Sequence, residues 1–544
     1  MVVAGNREAA DAGAAILAAG GNAVDAAVAA GFVLAATDVD AAGLGGAAVA
    51  LVIGPDGLGT VIGGPPVVPL GFDRAEIERL HREDRPWGYP TVAVPTTPAV
   101  LGYLHRRFGS VPWAEILAPA VEWAELGGEI APLNRAAAEA YRDRLAEQPV
   151  VAALFLDHEG TPRPIGSRQP NPRLADTLRQ LAVNGIESFY RGGLASAIDA
   201  DMKARGGPVR RADLMRVVIR ETAPARGRYR GFEVFAAAPP FGGAEVVRAL
   251  EILDALPEER LRTAGPDRYH ALVEAVRISL AQRGPPAGKG PLWLPTAGGS
   301  DAAAALARRI RFDRALRDDE IAAGPASPAT GGTTHLVVAD RWGLVVSMSM
   351  SIGLNFGAAR MSEELGFLYN NFVGWTEAGR PEAPPAPVAG GALRSAMTPV
   401  VVRRDDGWLL ALGSAGSDRI PSSVVAVVSA VVDRGCDLPA AVSAPRVLWG
   451  GPVDRRVYLE IATRNLESWA DVLETRGFTE LYRQHFPARP FDLAAFGGTN
   501  ALTADPERGG WIGVADPRRG GAARGVGGPT VGGPEATQLH PTHR

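Results

Sequence analysis

The segment that most limits how this chain can fold is Gly331-Gly332-Thr333-Thr334-His335, followed by the apolar run Leu336-Val337-Val338-Ala339. Apolar residues resume at Leu344-Val345-Val346 after Asp340-Arg341-Trp342-Gly343. Residues 335–340 and 344–351 therefore read as two strands joined by a tight turn, with glycine supplying the turn geometry. A hydroxyl residue opens the first strand directly after two glycines. Such a threonine can attack the carbonyl before it, move the chain from nitrogen to oxygen, and leave a new N-terminus when the ester hydrolyses. Thr333 would then carry a nucleophilic hydroxyl and an α-amine of reference pKa ~8 that can act as its own general base. Gly332 suits the position because it lacks Cβ and tolerates strained dihedrals. Taken locally, Thr-Thr is equally the ordinary start of a β-strand.

Composition narrows the class. The 544 residues are 46% hydrophobic and 21% charged, the balance of a globular chain. A net charge of −4 without any polybasic run indicates neither nucleic acid nor an anionic membrane as partner, and a small-molecule substrate is expected. Cys436 is the only cysteine, so an intrachain disulfide and a cysteine metal cluster are excluded, and its place at a helix end reads as structural. His540 and His543 read as a solvated tail, so no metal and no cofactor are expected. Met1 to Glu8 lacks a basic region followed by an apolar core, hence a cytoplasmic location is expected. No apolar run reaches the ~18 residues of a membrane span.

Along the chain, 9–36 reads as two Ala-rich helices meeting at Gly20-Gly21-Asn22, with Asn22 capping the second. Gly43-Leu44-Gly45-Gly46 precedes the apolar run 47–53, which reads as a strand buried on both faces; glycines before a strand do not make a dinucleotide loop. Residues 95–98 read as a loop. Helices are expected over 101–108, 113–126, 134–146, 171–184, 190–204, 210–220, 244–255 and 267–282, with a strand over 229–238. The glycine-rich 284–290 lacks the spacing and the Ser or Thr of a phosphate loop. Residues 322–332 read as an exposed loop, 365–370 as a strand, and 377–391 as a lid or connector. Strands near 398–403, 408–413, 456–461 and 510–514, with helices 421–434 and 465–476, complete the pattern. The tail 526–544 reads as disordered.

Several motifs then combine. Gly20-Gly21-Asn22-Ala23-Val24-Asp25-Ala26-Ala27-Val28-Ala29, Gly43-Leu44-Gly45-Gly46, Pro239-Pro240-Phe241-Gly242-Gly243, Gly332-Thr333-Thr334-His335, Asn370-Asn371, Gly413-Ser414-Ala415-Gly416 and Asp516-Pro517-Arg518 occur in this order. On these motifs the chain resembles the γ-glutamyltranspeptidase family of N-terminal-nucleophile hydrolases from about Ala4 to about Gly525. The resemblance implies an α/β fold, a four-layer αββα sandwich. It implies self-cleavage between Gly332 and Thr333 into a large subunit 1–332 and a small catalytic subunit 333–544, held together as a heterodimer. It makes Thr333 the nucleophile, Ser351 the hydroxyl residue beside it, and Gly416 with Ser417 the two backbone donors of an oxyanion hole.

The same comparison implies that the family's glutamate clamp is largely gone. Pro65 stands at the place of the carboxylate-binding Arg, and Ser395 survives from a serine pair whose second member is Ala396. The ammonium acceptors fall on Gly353 and Trp375. Losing three or four charge-assisted bonds of ~1.5–3 kcal/mol each would cost several orders of magnitude in recognition. Trp375 and Phe372 would offer stacking surface instead, and Arg394 could hold a carboxylate from a shifted position. The expected activity is hydrolysis of a non-glutamyl small molecule, foremost C–C cleavage of a keto-acid intermediate in 4-alkyl-proline formation, as in homologues from lincosamide and pyrrolobenzodiazepine antibiotic pathways. An authentic γ-glutamyltransferase or glutathione hydrolase, and an unprocessed pseudoenzyme or binding protein, are the alternatives.

Overall fold

The computed structural model describes residues 1–282, 299–321, 332–375, 388–451, 455–485, 495–505 and 509–527. Two antiparallel sheets form its centre. The first runs Ala522–Arg524, Val2–Ala4, Gly332–Ala339, Val345–Gly353, Ala47–Ile53, Gly59–Gly64 and Arg220–Thr222. The second runs Trp511–Val514, Gly498–Ala504, Leu409–Ala415, Val400–Arg403, Phe232–Ala236 and Ala225–Tyr229.

Alternation along the strands assigns the layers. In Gly332–Ala339, Leu336 and Val338 join a core with helix Ala23–Thr37, whereas Val337 and Ala339 join a second core with Val401, Ala411 and Leu502 of the other sheet. Leu410, Leu412, Val400 and Val402 point away from that interface, onto helices Gly243–Asp254, Pro266–Ala281 and Ile420–Val432. Helix, sheet, sheet and helix follow one another, the αββα sandwich.

Local signals explain the pieces near the site. Asn22 accepts from the Val24 and Asp25 N–H groups, and Asp25 accepts from Asn22 N–H at 3.0 Å, a complete capping box. The helix it starts buries every residue from Ala23 to Ala36. Asp340 closes the hairpin by accepting from Trp342 and Leu344 N–H groups, with Gly343 at φ 86°.

Several expectations are corrected. Residues 365–370 are not a strand; only isolated bridges, Gly45 to Tyr369 and Met361 to Leu368, form there, because Asn370 spends its side chain on the Ala93 and Gly45 backbone. Residues 210–220 hold a single helical turn, Arg211–Leu214, before strand Arg220–Thr222. The 134–146 helix is broken at Tyr141 into Pro132–Ala140 and Arg142–Ala146. Pro98 belongs to helix Thr97–Phe108, at a position where a missing N–H costs nothing. Strand Val457–Ile461 lies outside both large sheets, between Val447–Trp449 and Leu481–His485. The glycine-rich 284–290, the loop 322–331, most of the 377–391 segment, and His540 and His543 lie outside the described residues. Among the described residues no helix is long and apolar enough to cross a membrane.

Candidate active site

Thr333 pairs directly with Ser351 on the neighbouring strand. That register puts the two hydroxyls side by side, and Thr333 Oγ1 donates to Ser351 Oγ at 3.1 Å. Ser351 Oγ donates onward to the Gly332 carbonyl at 2.6 Å and accepts from Gly353 N–H at 3.1 Å. An irregularity in pairing between Ser351 and Gly353 turns that N–H back toward the hydroxyl. The carbonyl before Thr333 is thus already hydrogen-bonded, which makes its carbon more electrophilic. Space, not strain, demands glycine at 332. A Cβ there would lie 2.6 Å from the Asp40 carbonyl oxygen and 2.7 Å from that of Leu354, while its φ is outside the left-handed region.

His335 points between the sheets. Its Nδ1 lies 2.8 Å from Ser349 Oγ and its Nε2 3.2 Å from Ser347 Oγ. Burial lowers its pKa to about 3, so the ring is neutral and serves to fix the strand. It fills the place of a side chain at Gly413, where a Cβ would come within 2.3 Å of the ring. Across from it, Gly416 and Ser417 end strand Leu409–Ala415 at φ 124° and 59°. They lead through Ser417–Arg419 into helix Ile420–Val432. Consecutive N–H groups in such a turn at a helix start form a concave surface suited to negative charge.

A cavity of about 390 Å³ opens beside Thr333. Asp38, Asp40, Asn134, Asn355, Asn500 and Arg519 contribute to its polar wall. Asp40 accepts from Asn134 Nδ2 at 2.7 Å and Asn355 Nδ2 at 3.1 Å. Burial, reinforced by Asp40, raises the Asp38 carboxyl well above its usual range; the Thr334 hydroxyl and Arg519 oppose this. Burial also raises Asp40, and it draws Arg519 down to about 10, helped by Arg419.

On another side, Pro66 O accepts from Leu393 N–H at 2.7 Å and Val68 N–H donates to Gly391 O at 2.9 Å. The Pro65 segment therefore runs beside the chain leading to Arg394 and Ser395. Ser395 is buried, bridges to Phe241, and accepts from Met397 N–H at 3.3 Å. Phe372 packs against both the inter-sheet core and the Ile77, Leu80, Ala93 and Val373 cluster. Trp375 ends the turn Phe372–Trp375, and its side chain lies outside the described residues. Gly353 takes φ 97°, and a Cβ there would meet Asn371 Oδ1 at 2.2 Å. Among the described residues no cluster of His, Cys, Asp or Glu could hold a metal ion.

Residues 9–526 match the family profile described as gamma-glutamyltranspeptidase. The chain belongs to the gamma-glutamyltranspeptidase family. It is 32% identical over 533 residues to the acylase ACY 1 proenzyme of Pseudomonas sp. strain V22, covering 93% of this chain and 90% of that one. It is 29% identical to the glutathione hydrolase proenzyme of Pseudomonas sp. strain A14, covering 95% and 92%. Among solved structures, LmbA superposes with a TM-score of 0.82 at 25% identity, covering 96% of this chain and 98% of that one. The chain is accordingly an enzyme of the family's hydrolase class, on the N-terminal-nucleophile fold, and its relatives are made as proenzymes.

Sequence reasoning placed Thr333, Ser351 and the Gly416-Ser417 turn, and the structure brings their strands together. It missed Asp38, Asp40, Asn134, Asn355, Asn500 and Arg519. Arg519 directly follows the Asp516-Pro517-Arg518 motif and could have been sought from it, whereas Asn500 meets that motif only through the fold, its Oδ1 accepting from Asp516 N–H. Asp38 and Asp40 lie in the short link between a buried helix and the glycine motif at 43–46, where two carboxylates are conspicuous.

Proposed function

We propose that this chain cuts itself between Gly332 and Thr333 and that Thr333 is the nucleophile of the resulting hydrolase. The observation that carries the reading is the hydroxyl relay from Thr333 Oγ1 to Ser351 Oγ to the Gly332 carbonyl. In maturation, Thr333 Oγ adds to the Gly332 carbonyl carbon, the C–N bond breaks, and the proton lost by the hydroxyl ends on the new amine. Water then hydrolyses the ester, releasing 1–332 and 333–544. In turnover the α-amine takes the hydroxyl proton as Oγ attacks substrate, Gly416 and Ser417 N–H groups hold the oxyanion, and the amine returns the proton to the leaving group. Water, deprotonated by the same amine, frees the acyl product. Oxyanion donors of this type are worth ~2.7–4 kcal/mol each.

The substrate is a small non-glutamyl molecule. Proline at 65, alanine at 396 and glycine at 353 remove the charged contacts of a glutamate clamp, and the wall beside Ser395 is apolar. The foremost reaction is C–C hydrolysis of a keto acid in 4-alkyl-proline formation, where a stabilised carbanion leaves and is protonated; the likeness to LmbA points toward an antibiotic pathway and no further. Likeness to the acylase ACY 1 proenzyme favours a second reading, cleavage of a non-glutamyl amide. Arg394 and Ser395 would bind substrate in either case, with Phe372 and Trp375 as its apolar wall.

Intact mass and N-terminal sequencing of wild type beside Thr333→Ala test the first step. A fragment beginning at Thr333 in wild type alone is the expected result, and two whole chains after prolonged incubation would refute it. Matured enzyme is then offered keto acids, acyl amides and a γ-glutamyl anilide; the anilide proving best would overturn the substrate reading.

A further inference from the structure

Away from Thr333, a second cavity of about 200 Å³ lies among helices Pro266–Ala281, Ile420–Val432, Leu438–Ser443 and Arg464–Thr475. Leu272, Val427 and Ala441 give it an apolar floor. Tyr269 and half-buried Trp469 form an edge-to-face pair in its wall, with ring centroids 5.6 Å apart. Its ionisable lining, apart from the tyrosine, is basic throughout: Arg268, Arg434 and Arg446, with no carboxylate.

The three arginines differ in what they have left to offer. Arg268 donates to Leu261 O at 2.9 Å and Ser429 Oγ at 2.8 Å, and faces Asp433. Arg446 is 2% exposed; its Nη atoms serve Phe496 O, Val442 O and Asp516, but its buried Nε has no partner among the described residues. A buried donor without an acceptor is costly unless something else supplies one. Arg434 is exposed and makes no ion pair or hydrogen bond among the described residues, close enough to affect Arg268 and Tyr269 electrostatically.

We propose that this cavity is a second binding site, for a small carboxylate with an aromatic or branched apolar body. The carboxylate pairs with Arg434 at the mouth, and the body lies on Tyr269, Trp469 and Leu272. Charge complementarity selects the anion: Arg268 and Arg446 already face Asp433 and Asp516, which leaves Arg434 as the charge the lining offers, with no acid in that lining to attract a cation. The site also has a physical connection to the nucleophile's strand. Asp516, held by Arg446 at 2.6 Å, accepts from Thr499 N–H at 2.8 Å and donates its own N–H to Asn500 Oδ1 at 3.3 Å. Asn500 in turn holds the His335 carbonyl.

Calorimetric titration of the full chain with phenylacetate, and with phenethylamine as the cationic counterpart, is the test. Two variants accompany wild type: Arg434→Ala removes the charge, and Ala426→Leu fills the cavity from the lining of helix Ile420–Val432 without touching Thr333. Saturable phenylacetate binding is expected, with no binding of the amine, a loss of about tenfold in Arg434→Ala and near abolition in Ala426→Leu. No phenylacetate binding to wild type, equal binding of the amine, or binding unchanged in both variants would each overturn the proposal; the last would place the anion elsewhere, the Thr333 cavity included.

Discussion

Asn500 Nδ2 donates to the His335 carbonyl at 2.6 Å, tying the second sheet to the first two residues beyond Thr333. The strand that carries the nucleophile is thereby fixed by its neighbours in one sheet and by a side chain from the other. Replacing Asn500 by Leu leaves a buried carbonyl unsatisfied and should cost about 1–3 kcal/mol. Urea unfolding reads the loss. Self-cleavage, followed on denaturing gels, should slow in the same variant; unchanged stability and cutting would remove Asn500 from the support of the site.

Gly332→Ala should be worse than its size suggests. The added methyl would press on two main-chain carbonyl oxygens, those of Asp40 and Leu354, neither of which is a flexible side-chain end. Expected are a lower melting temperature and loss of the Thr333-started fragment. Normal cutting in Gly332→Ala would show that the strand shifts easily.

Acid sensitivity follows from the buried histidines. The folded pKa of His335 is depressed to about 3 and that of His270 to about 4, both by burial, so each binds its proton in the unfolded chain first. Their stabilising contribution is complete above pH ~6.5 and declines toward those folded values, at up to ~1.4 kcal/mol per pH unit for each. Asp38 acts oppositely, because its folded pKa is raised; its effect lowers stability as pH rises above ~4. Denaturant curves from pH 7 to 4 should therefore show a steeper acid decline in Asp38→Asn than in wild type. A shallower decline in that variant would contradict the sign.

Introducing asparagine at Gly353, where the resemblance would put an ammonium acceptor, should not create a glutamyl site. The backbone there sits at φ 97°, and a Cβ would collide with Asn371 Oδ1, which accepts from Leu354 N–H at 2.9 Å. Gly353→Asn should destabilise by about 1–3 kcal/mol. Gain of γ-glutamyl anilide hydrolysis in a stable Gly353→Asn variant would defeat this reading.

What could be read in advance depended on how local the signal was. Thr333 and its hairpin were legible because two glycines, a hydroxyl and alternating apolar residues all lie within one short stretch. Asn22 was legible for the same reason, its capping partners being two and three residues away. The strand Gly498–Ala504 was not, since Gly-Thr-Asn-Ala-Leu-Thr-Ala has little strand character and is held by its neighbours. Residues 365–370 misled in the opposite direction: apolar and aromatic, they look like a strand but pack as a loop pinned by Asn370. The cavity wall was invisible because Asp38, Asn134, Asn355, Asn500 and Arg519 meet only through the fold, each from a different segment.

The order of strands in the two sheets has a consequence for the lifetime of the enzyme. Both sheets combine segments from before and after position 332: in the first, Val2–Ala4 lies between Ala522–Arg524 and Gly332–Ala339, and in the second, Phe232–Ala236 pairs with Val400–Arg403. Under the proposed cut, neither product owns a complete sheet, so the two cannot part without both unravelling. Before cutting, folding is a first-order search within one chain. Afterwards it becomes a second-order meeting of two, dependent on concentration. Maturation would thus make refolding history-dependent: the zymogen can recover from unfolding alone at any dilution, whereas the active enzyme, once opened, competes with aggregation for its other half.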